Sequence, residues 1–418
     1  MQVFKFGGAS VKDAAGVVNL AQIVSKYKGE ELLIVVSAMG KTTNALEKLT
    51  SAYFQHSPDV QDIFEEVKAY HEQIVSQLFP ANDPVYNEVA NTFVEIDWMI
   101  EEEPHDDYDF IYDQIVSIGE MVSTRIVSAY LNREGIGNKW LDVRGYIHTD
   151  NTYREGQVDW NKTRAAIQRD LPAMLQKGML VTQGFLGGTS ENFTTTLGRE
   201  GSDYTASIFA ACLGAKSVTA WKDVPGIMNS DPKLFDDTIK FDELSYAEAI
   251  EMTFYGASVI HPKTIKPLQN ANIPLLVKPF NDPEASGTLI SETSVPHFQK
   301  PVIIIKQNQV LISISAKDYS FISENHLSDI FTILSANQVK VNVMQTSALS
   351  FTIGVDFEED HFSKAIAALK ENFRVKYNTG LTLITVRHYQ QEALKDLTAG
   401  RIVLLEQISR NTAQMVTR

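Results

Sequence analysis

The sequence predicts an α/β protein: a mainly parallel sheet sandwiched by helices, followed by a separate ferredoxin-like α+β module. Three observations carry this. Residues 32–37 (LLIVVS) form a continuous β-branched run, the pattern of a strand buried on both faces. Residues 3–6 make a short apolar strand running into Gly7-Gly8, and residues 14–27 have helical spacing, so a βαβ unit closes with residues 32–37. Past residues 281–301, marked by Pro283, Gly287, Pro296 and Pro301, the rhythm changes to βαββαβ.

The remaining elements follow in chain order. Residues 44–134 read as mostly helix, with breaks near Pro58, Pro80, Pro84 and Pro104. A strand at 139–143, a helix at 161–177, a strand at 179–183, a helix at 204–213 and a strand at 217–221 come next. Alternation of this kind predicts a parallel sheet with helices on both faces, over residues 1–295. In the C-terminal region, 302–418, strands at 302–306 and 310–315 precede a helix at 323–337. Strands at 339–345 and 350–355, a helix at 361–372 and a strand at 381–387 complete the module.

A chain of 418 residues has room for two or three domains. Its 44% hydrophobic and 21% charged residues fit a globular profile. The net charge of -15 argues against nucleic-acid or anionic-membrane partners, which would repel it. Cys212 is the only cysteine, so neither an internal disulfide nor a cysteine zinc site is expected; in the apolar run 206–213 it reads as a buried, inert thiol. No apolar stretch approaches the ~20 residues of a membrane helix. The N-terminus reads as a first strand and not as a signal peptide, so a cytoplasmic location is expected.

Four segments carry candidate chemistry. In the first, Lys5-Phe6-Gly7-Gly8 places a cation beside backbone N–H groups freed by glycine; taken alone, a lysine beside an ordinary turn explains it as well. Gly40-Lys41-Thr42-Thr43 resembles the end of a P-loop, but Val35 stands where the earlier glycine is required, and no G-x-G-x-x-G follows a strand. In the third, 194–206, Arg199 offers an anion clamp and Asp203 a carboxylate ahead of an apolar helix, where Ser202 or Asp203 could also act as a cap. The fourth, 221–233, follows a strand, and loops at strand C-termini are where open α/β sheets bind ligands; Pro225-Gly226 alone would serve a turn.

Together these pieces resemble the amino-acid kinase superfamily and, within it, the aspartate kinases. The resemblance rests on KFGGAS (5–10), VVSAMGKTTN (35–44), SIGEMVST (117–124), QGFLG (183–187), TTTLGREGSDYTA (194–206), DVPGI (223–227), DPK (231–233) and YGASVIHPKT (255–264). It implies the amino-acid kinase fold with an ACT-type module, ATP and Mg²⁺ as nucleotide and cofactor, and L-aspartate as acceptor. It implies Lys5 and Asp203 as the catalytic pair, Asp203 holding the lysine in place. Glu120 would bind the ammonium of aspartate and Arg199 its α-carboxylate, with Ser37, Thr43, Phe185 and Ser202 lining the pocket. Phe6, Gly7, Gly8, Lys222, Asp223, Met228, Lys233 and Ser258 would face the nucleotide, and no side chain is assigned to a metal. Ala9, Lys222, Met228, Lys233 and Ser258 depart from the commoner family pattern, and Lys222 or Lys263 is expected to restore the charge missing at Ser258.

The C-terminal region resembles the ACT domains by which aspartate kinases sense lysine or threonine, one unit inserted in another. Residues 310–377 would be the inserted unit, with 302–306 and 381–418 forming a cut-down outer unit in which only 390–400 is left for a helix. No glycine occurs between Lys317 and Leu334, and the family's Thr-Ser-Glu is Thr346-Ser347-Ala348. A homodimerising module with weak, altered or absent lysine feedback is expected.

Lesser features have plainer readings. His261 precedes a proline and reads as structural, and the acidic cluster at 101–107 as a solvated helix end. The rivals are another kinase of the superfamily, against which Glu120 and the ACT-like tail speak, and a sensor without catalysis, against which Lys5, Arg199 and Asp203 speak. With no dinucleotide fingerprint up to Arg418, a monofunctional kinase is expected rather than a fusion to homoserine dehydrogenase.

Overall fold

The structure, a computed structural model, describes residues 1–257, 260–292 and 300–418. Its contacts divide the chain into two compact units. One is built from Met1–Ile227, Lys240–Ile250 and residues 260–292, the other from Met228–Ile239, residues 251–257 and 300–418.

Among the described residues the strands up to residue 292 are β1 (Gln2–Phe6), β2 (Leu32–Val36), β3 (Asn138–Leu141), β4 (Met179–Gln183), β5 (Leu186–Gly188), β6 (Thr194–Thr196), β7 (Val218–Lys222), β8 (Glu243–Ser245), β9 (Leu275–Pro279) and β10 (Thr288–Ser291). The helices are α1 (Ala14–Ser25), α2 (Thr42–Phe54), α3 (Val60–Leu78), α4 (Pro84–Ile100), α5 (Tyr108–Val116), α6 (Ile118–Arg133), α7 (Trp160–Leu175), α8 (Gly201–Leu213), α9 (Tyr246–Tyr255) and α10 (Pro262–Asn270). The prolines break the helical stretch where expected. Pro84 opens α4, and Asp83 caps it by accepting from the Val85 N–H at 3.0 Å.

The main sheet has the order β3-β4-β2-β1-β7-β9-β10-β8. All its pairings are parallel except β9 with β10. Every residue of β2 is buried, as its unbroken apolar run requires. β1 and β7 lie side by side at the centre while the chain leaves β1 toward β2 and β7 toward β9, so a topological switch point falls between them. Phe6 stacks on Trp221 there, with centroids 6.1 Å apart and planes at 4°. The same core continues through Leu46, Phe64, Phe93 and Val122 into the helices α2–α6.

In the second unit an antiparallel sheet has the order β12-β13-β11-β14-β16-β15, from β11 (Val302–Ala316), β12 (Val341–Thr346), β13 (Phe351–Asp356), β14 (Phe373–Arg387), β15 (Val403–Ile408) and β16 (Thr412–Thr417). Helices α11 (Glu324–Ala336) and α12 (Glu359–Asn372) belong to the unit, as does the eight-residue α13 (Gln391–Thr398), which fills the short span 390–400. The two strands expected at 302–306 and 310–315 are one. The polar Gln307-Asn308-Gln309 reads as a turn, but the chain stays paired with β14 on both sides and absorbs the irregularity as register shifts, with Asn308 at φ 55°. The strand expected at 381–387 is likewise the second half of β14.

Smaller expectations resolve simply. Cys212 is buried, and burial pushes its thiol up to about 11. His261 caps α10, its ring accepting from the Lys263 N–H at 3.2 Å. Glu101, Glu102, Glu103, Asp106 and Asp107 are exposed beyond the end of α4. Among the described residues no helix is long and apolar enough to cross a membrane.

Candidate active site

The register of the central strands builds the site. Phe6 pairs with Val36 and with Trp221, and Val36 pairs with Gln183. One residue further along, Gly7, Ser37, Lys222 and Gly184 therefore stand in a row at the C-terminal edge of the sheet. Gly8 approaches the loop after β2 so closely that a Cβ there would lie 2.7 Å from the Ala38 carbonyl oxygen. Gly184 is pressed against Ser202 of α8 in the same way, a Cβ falling 2.4 Å from that of the serine. These contacts bring the expected segments 5–10, 35–44, 183–187 and 194–206 together.

Asp203 is the centre of the arrangement. It is 3% exposed, and its Oδ1 and Oδ2 each receive a lysine ammonium, Lys5 and Lys222, both at 2.8 Å. Burial alone would raise the Asp203 carboxyl, but the ammoniums of Lys222 and Lys5 outweigh it and hold the group below the ordinary carboxylate range. The helix expected at 204–213 begins at Gly201, because Glu200 takes the capping position in the left-handed conformation. Ser202 and Asp203 thus lie inside the first turn, where a carboxylate also meets the positive end of the helix. Lys222, expected toward the nucleotide, is drawn onto Asp203 itself.

Glu120, in the first turn of α6, is 2% exposed. Its Oε1 accepts from the Ala38 N–H at 3.2 Å, and its Oε2 is buried and receives no hydrogen bond among the described residues. Burial pushes the carboxyl up to about 8, against the opposing pull of the Ala38 N–H and the Lys5 ammonium. Ser37 is half-buried, and its carbonyl oxygen accepts from the Ser123 hydroxyl at 2.7 Å. Thr43 is half-buried in the first turn of α2. Phe185 takes a positive φ of 70° and packs its ring on Gly201. Arg199 is exposed just before α8.

Three features were not legible in the sequence. The hairpin β5–β6 delivers Arg199, Glu200 and Ser202, but strands of three residues rich in glycine and threonine give no periodic signal. Asp113 of α5, fully buried, ties that hairpin down: it accepts from the Thr196 N–H (2.9 Å), the Thr196 hydroxyl (2.7 Å) and the Arg154 N–H (2.9 Å). Burial pushes its carboxyl up to about 6 despite these donors. The third is Glu200, whose left-handed backbone and buried Oε2, without a hydrogen bond among the described residues, no motif announces.

Of the other residues expected at the nucleotide, Phe6 is core and Asp223 is exposed beyond β7. Met228 and Lys233 fall in the second unit, and Ser258 lies outside the described residues.

Residues 1–279 match the family model described as "Amino acid kinase family". The chain is 31% identical to lysine-sensitive aspartokinase 3 of Escherichia coli (strain K12), over 85% of this chain and 78% of that protein. It is 32% identical to chloroplastic aspartokinase 1 of Arabidopsis thaliana, over 85% of this chain and 63% of the relative, so it spans less than two thirds of the plant protein. A crystal structure of E. coli aspartokinase III in complex with aspartate and ADP superposes over 100% of this chain and 96% of the other, with a TM-score of 0.85 and 26% identity. The same enzyme in complex with lysine and aspartate gives a TM-score of 0.82 at 26% identity, over 100% and 95% of the two chains. With Lys5 of β1, Asp203 of α8 and Glu120 of α6 gathered at the C-terminal edge of a mainly parallel sheet, and relatives of this kind, the chain belongs to the amino acid kinase family and, within it, to the aspartokinases.

Proposed function

We propose that the chain transfers the γ-phosphoryl group of ATP to the side-chain carboxylate of L-aspartate, giving 4-phospho-L-aspartate, the step that leads toward lysine, threonine and methionine. The observation that carries the reading is the pair of ammoniums, Lys5 and Lys222, each 2.8 Å from one oxygen of the buried Asp203. Phosphoryl transfer asks a protein chiefly to align its reactants and to neutralise charge as it moves between oxygens. Two cations fixed by one carboxylate, beside the freed amides of Gly7 and Gly8, meet that need without reorganising during the reaction.

Acceptor recognition follows from Glu120. A buried carboxylate with an unbonded oxygen calls for a cation, and the ammonium of an amino acid supplies one. Arg199 takes the α-carboxylate, while Ser37, Thr43, Phe185 and Ser202 close the pocket. The attacking carboxylate is ionised at neutral pH, so no general base is needed. The donor set fits a magnesium ion held chiefly by the nucleotide. Both oxygens of Asp203 are taken by lysines, and no group of three or more His, Cys, Asp or Glu side chains among the described residues could hold a metal. When bound, the ion supplies further neutralisation of the phosphate oxygens.

Asp223 completes the nucleotide side by its place in the DVPGI stretch, 223–227, which resembles the family's motif. The C-terminal sheet is the dimerising element of a cytoplasmic homodimer in this reading. Acyl-phosphate formation tests the function: with ATP and Mg²⁺, the product trapped by hydroxylamine should form with L-aspartate and not with L-glutamate. Product with glutamate alone, or with neither, would refute it.

A further inference from the structure

The glycine before α2 meets the glycine turn after β1. The Gly40 N–H donates to the Gly8 carbonyl oxygen at 3.0 Å, and a Cβ on Gly8 would lie 3.0 Å from the Gly40 carbonyl oxygen. Gly40 itself takes φ 56°, the left-handed region that glycine enters freely. Two backbone walls are thus pressed together. One of them is the Gly7-Gly8 turn whose amides the kinase reading aims at the phosphates.

One side chain closes this junction from outside. The Tyr70 hydroxyl of α3 donates to the Lys12 carbonyl oxygen, at the end of the short 3-10 helix Gly8–Val11. The same hydroxyl stands over Gly40, where a Cβ would fall 2.5 Å from it. Gly8, Gly40, Tyr70 and Lys12 therefore form a ring, closed by the 3-10 helix that leads from Gly8 to Lys12. The next residue, His71, fixes α3 on α2. It is fully buried, with Nδ1 2.8 Å from the Val67 carbonyl oxygen and Nε2 3.4 Å from the Thr42 hydroxyl. Packing alone does not ask for an oxygen at Tyr70, since phenylalanine has nearly the same volume. Nor does the Lys12 carbonyl need one, because the bond is exposed and water would serve it. What the hydroxyl adds is position.

We propose that Tyr70 is a positioning residue for the nucleotide phosphates: its hydroxyl sets the gap between the Gly7-Gly8 turn and the Gly40 loop, so that the freed amides stand in place before MgATP arrives. The role rests on the kinase reading above and adds to it a residue from a helix outside the sheet. Tyr70 touches no reacting atom; it acts through the backbone of Lys12 and Gly40. Donors that need not reorganise bind their ligand more tightly. The acceptor side is left alone, because Tyr70 makes no hydrogen bond to Glu120 or Arg199 among the described residues.

MgATP titration and steady-state turnover with L-aspartate test this on the full-length chain, in Tyr70→Phe, Gly40→Ala and the double variant, with melting of each checked. Tyr70→Phe is expected to weaken MgATP binding about fivefold, the worth of one hydrogen bond, while KM for aspartate stays within about twofold. Gly40→Ala drives a Cβ against the tyrosine oxygen and should weaken MgATP binding more. Removing that oxygen relieves the collision, so the double variant should bind MgATP more tightly than Gly40→Ala alone. Losses that multiply in the double variant would overturn the proposal, as would equal rises in both KM values or unchanged MgATP binding in Tyr70→Phe. If Gly40→Ala does not fold, the split between MgATP and aspartate in Tyr70→Phe decides alone. A parent chain that binds MgATP but is inactive with aspartate would refute the acceptor reading only, and the titration would still decide the role of Tyr70. A parent that binds no MgATP would refute the kinase reading and this proposal with it.

Discussion

Lys222 Nζ lies 2.8 Å from Oδ2 of Asp203, opposite the Lys5 ammonium on Oδ1, so one carboxylate fixes two cations contributed by adjacent parallel strands. The loop after β7 is thereby tied to the reacting core rather than left as a peripheral nucleotide contact. This arrangement makes Asp203 the residue whose loss should cost most.

Asp203→Asn leaves two buried ammoniums without a counter-charge. It is expected to lower kcat by at least about 10²-fold, and to destabilise the fold by about 3–5 kcal/mol. The depressed folded value fixes the pH dependence. Stability from this ion pair is complete above the unfolded carboxyl value, near ~3.9, and is lost only as pH falls through the still lower folded value. Urea unfolding of the parent and variant between pH 5 and 8 should therefore give a constant difference.

Glu120 titrates in the opposite sense. With its carboxyl raised from 4.5 to about 8, the unliganded protein holds a proton there at neutral pH, while the bound ammonium requires the ionised form. KM for aspartate should fall as pH rises toward 8, by up to about tenfold per unit. Glu120→Gln should raise KM strongly and flatten that slope. The same group makes folding less favourable as pH rises from 4.5 to about 8, because the folded state binds the extra proton.

Asp113 acts at a distance from the chemistry. Asp113→Ala leaves the N–H groups of Arg154 and Thr196 and the Thr196 hydroxyl without their acceptor. A loss of about 2–5 kcal/mol is expected from such buried donors. Because the hairpin carries Arg199, KM for aspartate should rise more than KM for ATP, measured below the melting range of the variant.

The legible and illegible parts of this molecule divide on physical grounds. Continuous apolar runs such as 32–36 announce buried strands, and Pro58, Pro84 and Pro104 announce helix breaks, because one local cause dominates each. The three polar residues 307–309 mimic a turn and suggest two strands, whereas pairing with β14 overrides them and makes one, β11. Lys5, Glu120 and Asp203 were legible through their motifs. The grip of Lys222 on Asp203 was not, since it depends on the end of β7 meeting the first turn of α8. Asp113 and Glu200 had no signal either: burial and left-handed backbone are properties of the folded chain.

Lysine feedback in this chain is expected to be weak, altered or absent. Between Lys317 and Leu334 there is no glycine, and Tyr319 takes φ 62° with its hydroxyl accepting from Arg374 at 2.9 Å, while Ala348 lacks a charge to offer a ligand. Millimolar lysine added to the purified enzyme should leave the aspartate saturation curve unshifted. Tight inhibition by lysine would overturn that expectation.

The most direct test compares the parent chain with Lys5→Ala for hydroxylamine-trapped acyl phosphate from L-aspartate, with folding of the variant checked by melting. The account predicts turnover in the parent and a loss of at least about 10³-fold in the variant, since in the proposed function that ammonium neutralises the transferred group. A Lys5→Ala variant turning over at close to the parent rate would contradict the two-lysine site centred on Asp203.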